Sequence, residues 1–133
     1  MPMEEALVGR LQGAPDVALY AGVQYSWFGF NRGESGLRVA LRLISAGEEW
    51  THDGPDGLNE PRVRFDVEGE DAVQVMALAR AIICEMHRPA DVEGVIFHPA
   101  QLAADRTFDA EELGGGVARL RRQLEFLFFY EEK

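Results

Sequence analysis

The residues of this sequence that could do chemistry are few, and their spacing does not assemble a recognisable site. His52 and Asp53 are adjacent, while His87 and His98 stand elsewhere in the chain. A zinc site needs ligands at set intervals, such as two histidines four residues apart on a helix or paired cysteines. The chain holds no HExxH, no cysteine pair and no histidine pair at that spacing. His52 reads as a loop residue and His87 as a cation at a helix end. Cys84, the single cysteine, lies beside Ile82 and Ile83, where an inert core or boundary thiol is the ordinary outcome. Alone it can form neither an intrachain disulfide nor a cysteine-rich zinc site, which fits a reducing cytoplasm. Ser26, Ser35 and Ser45 lack the GxSxG surroundings that raise a serine nucleophile onto a tight turn. The many carboxylates include no recognisable acid–base pair. Gly114-Gly115-Gly116 opens neither a P-loop nor a GxGxxG helix, so it reads as a hairpin tip. Arg119, Arg121 and Arg122 form a small basic cluster, for which carboxylates of a neighbouring subunit are the expected partners. No catalytic residue, cofactor or metal is expected, and the chain reads as something other than an enzyme.

The elements around these residues follow from periodicity. Met3 to Gln12 predicts a short helix, with Glu4 and Glu5 at its positive end and Ala6, Leu7 and Leu11 on one face. Gly22 to Phe30 is aromatic and extended in character. Leu37 to Ile44 predicts a strand by strict alternation: Leu37, Val39, Leu41 and Leu43 face one way, Arg38 and Arg42 the other. A second strand sets Val63, Phe65 and Val67 against Arg62, Arg64 and Asp66. Between the two strands, the polar stretch Ser45 to Glu60 carries Asp53-Gly54-Pro55-Asp56-Gly57, strong turn chemistry that predicts a protruding loop.

Gly69 to His87 predicts the main helix, with Ala72, Val75, Met76, Ala79, Ile82, Ile83 and Met86 as its apolar stripe and Pro89 forbidding continuation. A strand is expected from Val92 to Phe97 and a polar, acidic loop from Pro99 to Gly116. A last strand near Arg119 to Tyr130 carries Leu120, Leu124, Phe126, Phe128 and Tyr130 on one face. The order predicts one α+β domain over residues 1–133: an antiparallel or mixed β-sheet with a long helix and a short N-terminal helix packed on one face.

Bulk composition narrows the function. Hydrophobic residues make up 47% and charged residues 27%, the balance of a folded globular chain. The formal charge of -10 argues against gripping nucleic acid, because so acidic a surface repels phosphate. Met1-Pro2-Met3-Glu4-Glu5 lacks the basic and then apolar regions of a signal peptide, and Val17 to Phe30 is too short to span a membrane, so a soluble chain is expected. Two long polar excursions without catalytic groups suggest contacts with partners.

These segments resemble a known family. Leu41-Arg-Leu-Ile-Ser45, then Thr51-His-Asp-Gly-Pro-Asp-Gly-Leu58, the strand Pro61-Arg-Val-Arg-Phe-Asp-Val67 and the Ala-rich helix Asp71-Ala-Val-Gln-Val-Met-Ala-Leu-Ala-Arg-Ala81 are similar to the tail-completion, or tail-terminator, proteins of long-tailed bacteriophages and gene-transfer particles. The aromatic strand Leu124 to Tyr130 resembles the usual ending of that family. The stretches Trp27 to Phe30 and Pro99 to Gly116 depart from it. The resemblance implies a virion assembly protein of the tail or neck, put together in the bacterial host cytoplasm. Its partners would be copies of itself in a hexameric ring, the tail-tube protein and the head–tail connector, with no membrane. Six copies at -10 each would carry -60, part of which could line a channel through which DNA passes without specific binding. Contact residues expected from the resemblance and the loop chemistry are Thr51, His52, Asp53, Gly54, Pro55, Asp56, Gly57 and Leu58, together with Arg119, Arg121 and Arg122. A head-side neck protein, or a small ligand-binding or enzyme domain with a pocket under Tyr25 to Phe30, are the alternatives.

Overall fold

The computed structural model describes residues 2–19, 23–28, 36–45, 48–51, 54–114 and 117–132, and at 48–51, 54–59, 109–114 and 117–118 the backbone only. Two short helices, α1 (Met3–Gly13) and α2 (Pro15–Ala18), precede strands β1 (Gln24–Trp27), β2 (Arg38–Ser45), β3 (Glu48–Thr51), β4 (Gly54–Asn59) and β5 (Arg62–Gly69). The main helix α3 (Ala72–Met86) follows, then β6 (Ala90–Val92), β7 (Val95–Phe97), β8 (Gln101–Gly114), β9 (Val117–Leu127) and β10 (Tyr130–Glu132). The fold is α+β, as expected. Its strands form two five-stranded sheets, ordered β1-β2-β5-β9-β8 and β3-β4-β10-β7-β6. The first is mixed, since β1 runs parallel to β2 and the other pairs are antiparallel.

The alternation on β2 and β5 is realised directly. Val39, Leu41, Val63, Phe65 and Val67 have no exposed surface, and β9 adds Leu124 and Phe126 to the same face. Phe65 and Phe126 meet edge to face at 5.2 Å. On this side lie α3, through Val75, Leu78, Ala79, Ile82 and Met86, and α1, through Met3, Ala6, Leu7 and Leu11. The buried stripe of α3 is turned from the expected one: Leu78 joins it, Ala72 is exposed, and Met76 and Ile83 sit at its margins. Asp71 starts the helix, its carboxylate accepting from the backbone N–H of Val73 at 2.9 Å. Gly69 is needed just before it, because a Cβ there would stand 3.0 Å from both Leu37 and Val75 side chains.

Three expectations are corrected. The segment Ser45 to Glu60 is largely strand, with β3 and β4 pairing antiparallel from Glu48↔Asn59 to Thr51↔Gly54. Pro55 is tolerated there because β10 pairs with β4 only at Asn59, so its missing N–H interrupts no third strand. The segment Pro99 to Gly116 is not a loop but mostly β8, the longest strand. It hid from the sequence because three register shifts break its alternation and its side chains up to Thr107 are mostly exposed. The single strand expected from Val92 to Phe97 is a hairpin instead. Glu93 and Gly94, at φ 48 and 89, form a two-residue turn of the kind that matches strand twist.

The last strand also breaks, at Phe128–Phe129, before β10 continues in the second sheet. The chain likewise passes from β4 to β5 through Glu60–Pro61, and the N–H of Phe128 donates to the carbonyl of Pro61 at 3.3 Å. Among the described residues no helix is long and apolar enough to cross a membrane.

One buried charge ties the helices together. Arg10 of α1 bonds through Nε to the Glu85 carboxylate at 3.1 Å and through Nη2 to the carbonyls of Glu85 and Arg88 at the end of α3. Its guanidinium also lies 5.4 Å from the Phe97 ring centre. Burial pulls its pKa down, and the bond to Glu85 works against that shift. Removing one member of such a pair leaves the other buried and uncompensated. Arg10→Ala is therefore expected to lower unfolding stability by about 3 kcal/mol, read from urea denaturation; a loss under about 1 kcal/mol would refute this role.

Candidate functional site

Period two on the first sheet has a second consequence. The core takes one face of β2, β5 and β9, so the charges on those strands, Arg122 excepted, gather on the other. Register places Arg38, Arg42, Arg62, Arg64, Arg106, Arg119 and Arg121 on this outward face, against Asp66, Glu68, Glu111 and Glu125. Seven arginines less four carboxylates leave +3 here, and the chain total of -10 then leaves -13 for all other residues.

Most of these arginines are held from within. Arg38 faces Glu68 and bonds its carboxylate at 2.8 and 3.0 Å. Arg62 bonds Glu125 at 3.0 Å, and Gln123 donates to Asp66 at 3.0 Å. Arg119, itself buried, reaches the carbonyl of Gly36 at 3.4 Å and the Glu70 carboxylate at 3.9 Å. Arg121 lies over the Phe108 ring at 4.1 Å. Arg42 and Arg106 are exposed, with no partner among the described residues.

The basic cluster read from the sequence is divided by this geometry. Arg119 and Arg121 point outward, whereas Arg122 turns to the helix side, where it grips Asp105 with two bonds of 2.9 and 2.6 Å and touches the Met76 sulfur. All three have partners inside the chain. Of the other expected contact residues, Thr51 ends β3, and Gly54, Pro55, Asp56, Gly57 and Leu58 lie in β4; His52 and Asp53 fall outside the described residues. The two groups are not brought to one site: β3 and β4 belong to the second sheet and the arginines to the first. Sequence reading missed Arg42, Arg64 and Arg106 as a surface. Their alternate spacing was visible, but strand order alone makes them neighbours.

The hairpin β8–β9 outruns its sheet. β5 ends at Gly69, opposite Leu120, while β8 and β9 remain paired beyond it from Glu111↔Arg119 to Gly114↔Val117. A two-stranded arm therefore projects past the end of the third strand. Of the aromatic segment expected to roof a pocket, Tyr25 and Trp27 lie against the core, the Trp27 indole N–H donating to the carbonyl of Glu4 at 3.1 Å, while Phe28 is exposed and residues 29–30 lie outside the described residues. Burial pushes the Tyr25 phenol up to about 12. A shallow depression of about 300 Å³ lies along α3, lined by Ala72, Val73, Met76, Ala77 and Arg80. His87 approaches the carbonyl of Ala100 and His98 the carboxylate of Glu131, each at 3.4 Å; Cys84 is exposed rather than a core residue. No three His, Cys, Asp or Glu side chains stand together as a metal could use, among the described residues. No family model matches the chain, and no curated protein matches it.

The bonds from Arg122 hold the Asp105 carboxyl below its usual pKa, against a smaller opposing effect of burial. A depressed carboxylate stabilises the fold fully above its unfolded pKa of about 3.9 and ceases to do so as pH falls through the lower folded value. Asp105→Asn should thus be less stable than the parent at pH 7, with the gap closing below about pH 3.9 in paired urea titrations. A gap that persists unchanged to pH 2 would show that the pair carries no linked proton.

Proposed function

We propose that this chain is a ring-forming tail-completion subunit of a long-tailed phage or gene-transfer particle. In this role it caps the tail tube and offers the surface on which the head connector docks. The sequence resemblance over Leu41–Ala81 motivates the reading. The observation that carries it is the β8–β9 arm, which continues as a paired ribbon beyond the end of β5. A ribbon that continues past its sheet offers strand edges that a neighbouring subunit or tube end could cover. A ring needs such one-way, head-to-tail contacts, in which a projecting part of one copy meets a different part of the next. The short β3–β4 ribbon, which passes β10 in the same manner, is a second projection of this kind.

Charge fits the same role. With +3 gathered on one sheet face, the -13 of the other residues is available to face a central channel, where it would keep DNA from sticking. The subunit would act at the tail–head junction of the virion after assembly in the bacterial cytoplasm, as a hexamer contacting the tail-tube protein and the connector.

Two genetic experiments bear on this. Particles made without the protein should show overlong or headless tails by electron microscopy. Replacing residues 112–118 with Asn-Gly, so that Glu111 and Arg119 flank a two-residue turn, should leave a cooperatively melting domain that no longer joins tails to heads. Normal infectious particles from a folded variant of that kind would sink the reading.

A further inference from the structure

Arg42 on β2 and Arg64 on β5 lie directly opposite each other on the outward face of the first sheet. Like charges in that position oppose strand pairing, and a sequence that had only to fold would do better with a carboxylate at one of them. The same two strands show the alternative nearby, where Arg38 stands opposite Glu68 and closes a salt bridge at 2.8 Å. Arg64 stands opposite Glu125 on its other side, but that carboxylate bonds Arg62, so among the described residues neither guanidinium closes a hydrogen-bonded ion pair. Arg42 is exposed and unpartnered among the described residues. Arg64 comes no nearer than 3.7 Å to Asp66, and its buried Nε has no hydrogen-bond acceptor.

We propose that this face, centred on Arg42 and Arg64, is the contact surface for the carboxylate-bearing exterior of a second copy of this chain. Charge complementarity names the occupant. The face is +3, and the remaining residues of any other copy sum to -13, so two copies attract when the face of one meets the acidic exterior of the next. Duplex DNA would bring a dense negative charge up to the same -13 and is disfavoured. A basic face on an acidic flank is a heterologous contact, the kind that closes a ring by rotation. The geometry of the contact rests on the ring reading given above; its chemistry does not.

Light scattering at low ionic strength reads the sign of the force between copies. Uniformly charged molecules at -10 repel, so attraction in roughly 10 mM salt that fades by roughly 0.5 M is the mark of opposed patches. The wild-type chain should show it. Arg42→Glu should lose it, while its melting temperature rises by about 2 °C because the new carboxylate faces Arg64. Arg80→Glu, the same change in charge on exposed α3, should keep the attraction. Repulsion between wild-type copies at low salt overturns the proposal, and so does attraction that survives in Arg42→Glu as it does in Arg80→Glu. Binding of duplex DNA that Arg42→Glu abolishes would overturn it in favour of a polyanion. Rings that still form from Arg42→Glu would remove this contact while leaving the ring itself standing.

Discussion

A β-strand can bury only every second side chain, and on β5 that constraint sets both faces of the molecule. Val63, Phe65 and Val67 are fully enclosed between the strand's neighbours and the helices. Arg62, Arg64, Asp66 and Glu68 must then stand together on the other side. A shift of one residue in register would drive four charges into the core, at a cost no surface pairing could offset. The hydrophobic face is thus fixed by packing, and the charged face is fixed by the same event. Because β2 and β9 obey the same period, arginines distant in sequence become one surface.

The helices depend on that sheet and on one charge. α3 covers β5 and β9, and its C-terminal carbonyls are met by Arg10 from α1. A buried guanidinium at the negative end of a helix is a favourable place for a cation, which helps to compensate its desolvation. It also couples the N-terminal segment to the region where the second sheet begins, since Phe97 of β7 lies beneath it. The first and second sheets meet where β4 passes into β5 and β9 into β10, at Pro61 and Phe128. Proline and a pair of bulky rings are poor continuations of a regular ladder, so the strands turn there instead of lengthening one sheet.

What the surface offers to a partner follows from which edges and faces remain. β8 is a long edge strand, and edges of that kind invite indiscriminate pairing. Its three register shifts and its charged residues Asp105 and Arg106 work against that. Such a molecule is suited to mating with shapes and charges, and the reading of it as an assembly subunit draws on both.

The sequence by itself determined the strands whose burial is one-sided and the helix with a clean stripe. Leu37–Ile44, Arg62–Val67 and Gly69–His87 could be placed because alternate or helical spacing of apolar residues is a local signal. It gave no such signal for β8, whose polar side chains and bulges erase the alternation, nor for β3 and β4, whose Gly and Pro imitate a loop. Arg119, Arg121 and Arg122 were legible as basic residues, and by period two as residues of opposite faces, but their partners were not. Only the tertiary structure decided that, and only it set Arg42 opposite Arg64. Strand order and register arise from contacts between residues far apart in the chain, and no window of neighbouring residues contains them.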